Sequence, residues 1–239
     1  MPLPKINTPT YELVLPSNNK KIKYRPFLVR EEKILILALE SEDSKQITDA
    51  VVEILSECVL TKGVDINTLP TFDIEYIFLN VRSRSVGESV EVSVTCPDDG
   101  KTAVEMVVNL DDIKVKKTRG HKDTVKLDDT LSMKLRYPSI KQFVENNFEV
   151  DSDSAVSQSL SMLASCIDMI YNDEESWEAN DCSKEELDEF IEQLNTKQFK
   201  EVEKFFETMP KLSHTLKVVN PATEVESEVV LEGLASFFS

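Results

Sequence analysis

Residues 89–110 read SVEVSVTCPDDGKTAVEMVVNL, and their pattern decides the fold. Val90, Val92 and Val94 alternate with polar residues, Cys96-Pro97-Asp98-Asp99-Gly100-Lys101 turns the chain, and Val104, Met106, Val108 and Leu110 alternate again. Alternation puts every second side chain on one face of a strand, so the stretch predicts a β-hairpin with one apolar face. Antiparallel neighbours need only such a short turn, whereas parallel ones need a crossover of about a dozen residues or more. Outward from this hairpin the signature recurs. Tyr11 to Leu15 and Lys21 to Arg25 flank Pro16-Ser17-Asn18-Asn19. Val125 to Leu127 and Leu131 to Leu135 flank Asp128-Asp129, and Pro138 should end that second strand. In the tail, an apolar strand from Thr215 reaches Asn220-Pro221, and Val229 to Leu231 leads out of a polar turn. A Leu lies 13 positions after the turn proline in both the central and the last hairpin, Leu110 after Pro97 and Leu234 after Pro221, which suggests paired modules.

Helical spacing fills the rest. Val29 to Glu40 is expected to be a helix, because glutamates and a lysine precede an aliphatic run that no Gly or Pro interrupts. Ile47, Ala50, Val51, Ile54, Leu55 and Cys58 form one stripe, and a third helix is expected from Thr71 to Arg84. Val156, Leu160, Leu163, Ile167 and Ile170 predict a helix over Ala155 to Tyr171. Ser183 with Glu186, and Asn195 with Gln198, have the form of capping boxes before two more helices, the second ending at Pro210. The expected fold class is α+β, with helical clusters and antiparallel β-hairpins. Along the chain this gives an N-terminal hairpin and helices (1–86), central β-hairpins (87–137), a helical region (138–210) and a C-terminal hairpin with an apolar tail (211–239), taken together as one compact unit.

Composition narrows the function. The 239 residues carry 27 Lys and Arg against 44 Asp and Glu, a formal net charge of −17. That sign argues against nucleic acid as a partner, because neutralising phosphates needs basic patches. The longest aliphatic run, Ile34 to Leu39, is far too short to span a bilayer, and MPLPKINTPT has no signal-like apolar stretch, so no membrane association is expected. Cys58, Cys96, Cys166 and Cys182 form no Cys-x-x-Cys pair and are expected to be free thiols, with Cys58 on an apolar helix stripe.

Catalytic chemistry is sparse. His121 and His214 sit in no metal or nucleophile motif, and Gly63, Gly87, Gly100, Gly120 and Gly233 lie too far apart to form a phosphate cradle. Asp151-Ser152-Asp153 opens like a calcium loop, but Met162 stands where a bidentate Glu belongs, so helix capping is the better reading. Between Asn172 and Glu192 ten acidic residues face Lys184 alone. A solvated loop and helix face explains them, while Trp177 in their midst makes a docking surface for a basic partner the sharper alternative.

Six blocks, in order, carry a family resemblance: INTPTYELVLPSNNKKIKYRPFLVREEKILILALES (6–41), FDIEYIFLNVRSRSVGE (72–88), CPDDGKT (96–102), MKLRYPS (133–139), CSKEELDEFIEQLNTKQFKEVEKFFETMPKLSH (182–214) and VVLEGLASFF (229–238). The chain resembles the baseplate hub family of T4-like contractile-tailed phages over nearly its whole length. The resemblance implies a non-enzymatic hub subunit or assembly protein, without cofactors, whose partners are other baseplate hub or tail proteins. It also implies a place in the virion tail baseplate or the infected host's cytoplasm. A transient assembly chaperone absent from the mature virion is the alternative, and an acidic adaptor for a basic protein ranks below both.

The resemblance further implies two hairpin tips at which some relatives place Cys-x-x-Cys pairs, where four thiolates would bind one structural zinc. Here those positions read Cys96 and Asp99, then Asn220 and Thr223, so ordinary turn chemistry is expected in place of the metal, with a site completed by Cys182 or His214 the lesser alternative. The candidate partner-binding residues are Tyr24, Arg25 and Phe27 at the first hairpin's exit, Trp177, and Leu234, Phe237 and Phe238 in the tail. A fixed hairpin exit and a tail docked on the chain's own core are the plainer readings of the first and last groups.

Overall fold

The computed structural model describes residues 6–144 and 155–233. The chain forms two compact units, one of Met1–Ile66, Phe72–Lys116 and Lys211–Ser239, the other of Asn67–Thr71 and Lys117–Pro210. Strand pairing among the described residues is antiparallel throughout, with helices set between and after the hairpins, as the α+β expectation requires.

The first unit opens with β1 (Tyr11–Val14) and β2 (Lys21–Tyr24), paired from Tyr11↔Tyr24 to Val14↔Lys21. Leu13, Leu15, Ile22 and Tyr24 are buried, the inward half of the alternation. The turn docks on α3 (Thr71–Ser85) through Ser17, whose N–H and Oγ both donate to the buried Asp73 carboxylate. Two helices follow the hairpin, α1 (Val29–Glu40) and α2 (Ser44–Cys58), and they pack together. Asp43 caps α2 by accepting from the Lys45 and Gln46 N–H groups, and Cys58 lies fully buried on the helix's inner stripe.

Two sheets then share a core with α3. One is β3 (Ser89–Thr95) with β4 (Ala103–Asn109). The other has the order β11-β10-β5, where β5 is Lys114–Lys116, β10 is Lys211–Val219 and β11 is Glu226–Glu232. Val92, Val94, Val108, Leu110, Ile113, Leu212 and Leu216 meet Leu79 of α3 in this core.

The second unit is built on the sheet β6-β7-β8-β9, formed by Thr124–Lys126, Ser132–Leu135, Ile167–Tyr171 and Ser176–Glu178. Its helices are α4 (Ile140–Val144), α5 (Ala155–Ser165), α6 (Lys184–Glu192) and α7 (Thr196–Thr208). Both capping boxes form: Ser183 Oγ accepts the Glu186 N–H while Glu186 accepts the Ser183 N–H, and Asn195 and Gln198 do the same for α7. Met133, Ile167, Ile191, Val202 and Phe205 are central to the core. Burying each such side chain contributes about 1.5–3 kcal/mol.

One expected element is corrected. The helix predicted from Ala155 to Tyr171 stops at Ser165, and Ile167–Tyr171 is β8, the strand between β7 and β9. Ile167 and Ile170 are three apart, which suits a helical stripe and hid the break. The β7–β8 register shifts between Lys134 and Leu135, so both isoleucines reach the core despite their odd spacing. Arg136 N–H donates to the Cys166 carbonyl at 2.8 Å, giving the chain a ladder partner where helix bonding ends. Two sheet partners outweigh a helical preference that periodicity alone expresses. Strand β9 also falls inside the acidic stretch that sequence reads as loop and helix face.

Candidate functional site

The hairpins β3–β4 and β10–β11 end in turns of one design. In the first, the Cys96 N–H donates to the Thr102 carbonyl at 2.8 Å and the Gly100 N–H to the Cys96 carbonyl at 2.9 Å. In the second, the Asn220 N–H donates to the Val225 carbonyl at 3.0 Å and the Glu224 N–H to the Asn220 carbonyl at 2.8 Å. Proline stands second in each turn, and Gly100 (φ 64°) and Glu224 (φ 61°) take the same left-handed position. Cys96–Gly100 thus matches Asn220–Glu224 position for position.

The tips are bound to each other by a residue that sequence reasoning did not single out. Asn220 Nδ2 donates to both carboxylate oxygens of Asp98 at 3.0 Å, and Thr223 Oγ1 donates to Asp98 Oδ2. Asn220 is fully buried. The hydrogen bonds from Thr223 and Asn220 hold the Asp98 carboxyl below its ordinary range. Asp99 instead closes its own turn, accepting from Thr102 Oγ1 and from the Lys101 and Thr102 N–H groups, and is likewise held low. The signal that could have found Asp98 is the match of the two turns: a buried amide at Asn220 needs an acceptor, and Asp98, two positions after its counterpart Cys96, is the nearest carboxylate along the chain.

Structural zinc does not fit this arrangement. The Cys96 thiol is buried and pushed up by that burial and by the Asp98 and Asp99 carboxylates, which disfavours the thiolate a metal needs. Asp99 and Thr223 are engaged in hydrogen bonds, and Asn220 offers no anionic ligand. Among the described residues, no three Cys, His, Asp or Glu side chains converge as a metal site. His214 lies on β10 opposite Leu231, and Cys182 follows β9 in the second unit.

At the first hairpin's exit, Tyr24 and Phe27 are buried and leave little surface for a partner. Arg25 is fixed from several sides. Its N–H donates to the Cys58 carbonyl at 3.0 Å, and its guanidinium reaches the Pro26 carbonyl and Glu31. The Phe27 N–H donates to Ser85 Oγ at 2.9 Å. Glu31 is 2% exposed. Burial pushes its carboxyl up, but Arg25, Arg30 and the Leu28 N–H together bring it down to about 2. It also supplies half of a capping box for α1, since Leu28 has no side-chain acceptor to return the bond.

Trp177 is 41% exposed on β9, the edge strand of the second unit's sheet, where it pairs across Ile170. Asn172 Oδ1 accepts the Glu174 and Glu175 N–H groups just before it, fixing the acidic turn that leads into β9. His121 is partly buried between Tyr137 and Phe205, with Nδ1 2.9 Å from Thr208 Oγ1, and burial lowers its pKa. Cys166 is buried with its thiol pushed up by that burial to about 12, and Cys58 to about 11. Leu234, Phe237 and Phe238, and Asp151 to Asp153, lie outside the described residues.

The family model of the T4 bacteriophage base plate protein matches residues 8–239 of the chain. No curated protein and no solved structure matches it. No helix among the described residues is long and apolar enough to cross a membrane.

Proposed function

Because the chain belongs to the T4 bacteriophage base plate protein family, we propose that it works without catalysis in the hub of a contractile tail's baseplate, as a hub subunit or as a factor that assembles the hub. The observation that supports the baseplate part of this reading is the extent of the family match, which runs from residue 8 to residue 239 and takes in both compact units. The chemistry of the hairpin tips points the same way. The side chains brought together at the hairpin tips lock two turns of the chain to one another and leave Asp98 saturated with donors, an arrangement suited to rigidity.

Trp177 is the partner anchor we favour. An aromatic ring left half in solvent on an edge strand, inside a segment of ten acidic residues, suits a partner that brings lysine or arginine side chains. The apolar Leu234, Phe237 and Phe238 are proposed as a second anchor on sequence grounds.

Affinity capture of the tagged chain from infected cells, followed by mass spectrometry, tests the reading; other baseplate hub proteins should co-purify. Recovery of no tail protein would overturn it. The same measurement on purified virions separates the two roles, since a subunit persists in finished particles and a transient assembly chaperone does not.

A further inference from the structure

Helix α1 presents apolar side chains to solvent. It carries six consecutive aliphatic residues, Ile34 to Leu39, yet only Glu31 and Ala38 of its twelve residues are buried. Val29 is 80% exposed, Leu37 55%, Ile36 49% and Leu39 44%. A surface helix ordinarily turns its apolar stripe inward, and contiguous exposed apolar side chains mark a contact surface.

The charges flanking this surface say what covers it. Lys33, Ile36, Leu37 and Glu40 stand at intervals of three and four and form one stripe along the outside of the helix, all of them exposed. Arg30 extends the stripe at its N-terminal end, and Glu40 closes it at the other. The stripe is therefore basic at one end, apolar in the middle and acidic at the other, which makes it complementary to itself when reversed. We propose that α1 is the surface through which two copies of this chain pair, with the helices antiparallel about a two-fold axis between Ile36 and Leu37. In that arrangement Ile36 of one copy packs on Leu37 of the other, and Lys33 of each meets Glu40 of the other. A parallel pair would set Lys33 against Lys33 and Glu40 against Glu40. Arg30 is already engaged with Glu31 and Glu57 of its own chain, so Lys33 and Glu40 are the pair that reports the geometry.

This inference stands on α1 alone and is independent of the baseplate reading. Its test is sedimentation equilibrium of the full chain at physiological salt, from about 1 μM to about 200 μM, a range that brackets micromolar dissociation constants. A monomer–dimer equilibrium is expected. Ile36→Glu with Leu37→Glu should abolish it while leaving the circular dichroism spectrum unchanged and the unfolding transition cooperative, because about half of each side chain is exposed in the monomer; the melting temperature of the variant should no longer depend on protein concentration. Lys33→Glu alone and Glu40→Lys alone should each raise the dissociation constant about tenfold, since each turns two symmetry-related attractions into repulsions. The two changes together should restore it. As a check that asks nothing of folding, Ile36→Cys in a Cys182→Ser background should give a disulfide-linked dimer on mild oxidation. A chain that stays monomeric throughout, a dimer that survives the paired Glu substitutions, a charge swap without rescue, or no cross-link at position 36 would each overturn the proposal.

Discussion

Glu31→Gln is the sharpest test of how the N-terminal hairpin is fixed to its helix. The buried carboxylate accepts from Arg25 at 3.0 Å, from Arg30 at 2.6 Å and from the Leu28 N–H at 2.6 Å, and is held at about 2 against an ordinary 4.5. A depression of that size corresponds to about 3 kcal/mol of folding free energy. The substitution keeps the shape and one acceptor but leaves the Arg25 guanidinium, 11% exposed, without its counter-charge. Because the folded-state pKa is the lower one, the stabilisation is complete above pH 4.5 and is lost as pH falls from there toward 2. Urea unfolding followed by circular dichroism should therefore find the variant less stable by about 3 kcal/mol at pH 7 and by about half that at pH 3. A loss under about 1 kcal/mol at pH 7, or a loss that does not change between the two pH values, would refute the electrostatic account of this contact.

At the hairpin tips, Asp98→Ala should lower the melting temperature by a few degrees and speed hydrogen exchange at the Ala222 amide, whereas Thr223→Val should have a smaller effect. Glu224→Gly should stabilise the chain by about 0.5–1 kcal/mol in urea unfolding, because it relieves a left-handed residue at the position where the matching turn already has Gly100. With Cys58, Cys96 and Cys166 buried and Cys182 partly exposed, an aromatic disulfide reagent at pH 8 should titrate one of the four thiols in the native protein and all four in denaturant. Elemental analysis of the purified chain should find no stoichiometric zinc, and chelator should leave its melting temperature unchanged; about one zinc per chain would send attention back to Cys96 and its neighbours.

Much of the local structure was legible in the sequence, since it is encoded by neighbours along the chain. Alternating valines gave β3 and β4, the aliphatic run gave α1 with its limits at Val29 and Glu40, and Ser183 with Glu186 marked the start of α6. Six blocks of sequence in order also carried the resemblance, and the family match shows its baseplate part. What tertiary structure decided involves residues far apart. The segment Ile167–Tyr171 has a spacing that serves a helix or a bulged strand equally, and only β7 and β9 on either side made it a strand. Asp98 looked like turn chemistry until Asn220, 122 residues away, supplied its donors. Strand β5, three residues long, exists because β10 offers it a ladder. Periodicity fixes which side chains share a face of α1 but not which of its faces is covered, because coverage depends on what else the chain brings near. In α1 the chain leaves Ile36, Leu37 and Leu39 of its longest aliphatic run exposed, and no period in the sequence foretold that.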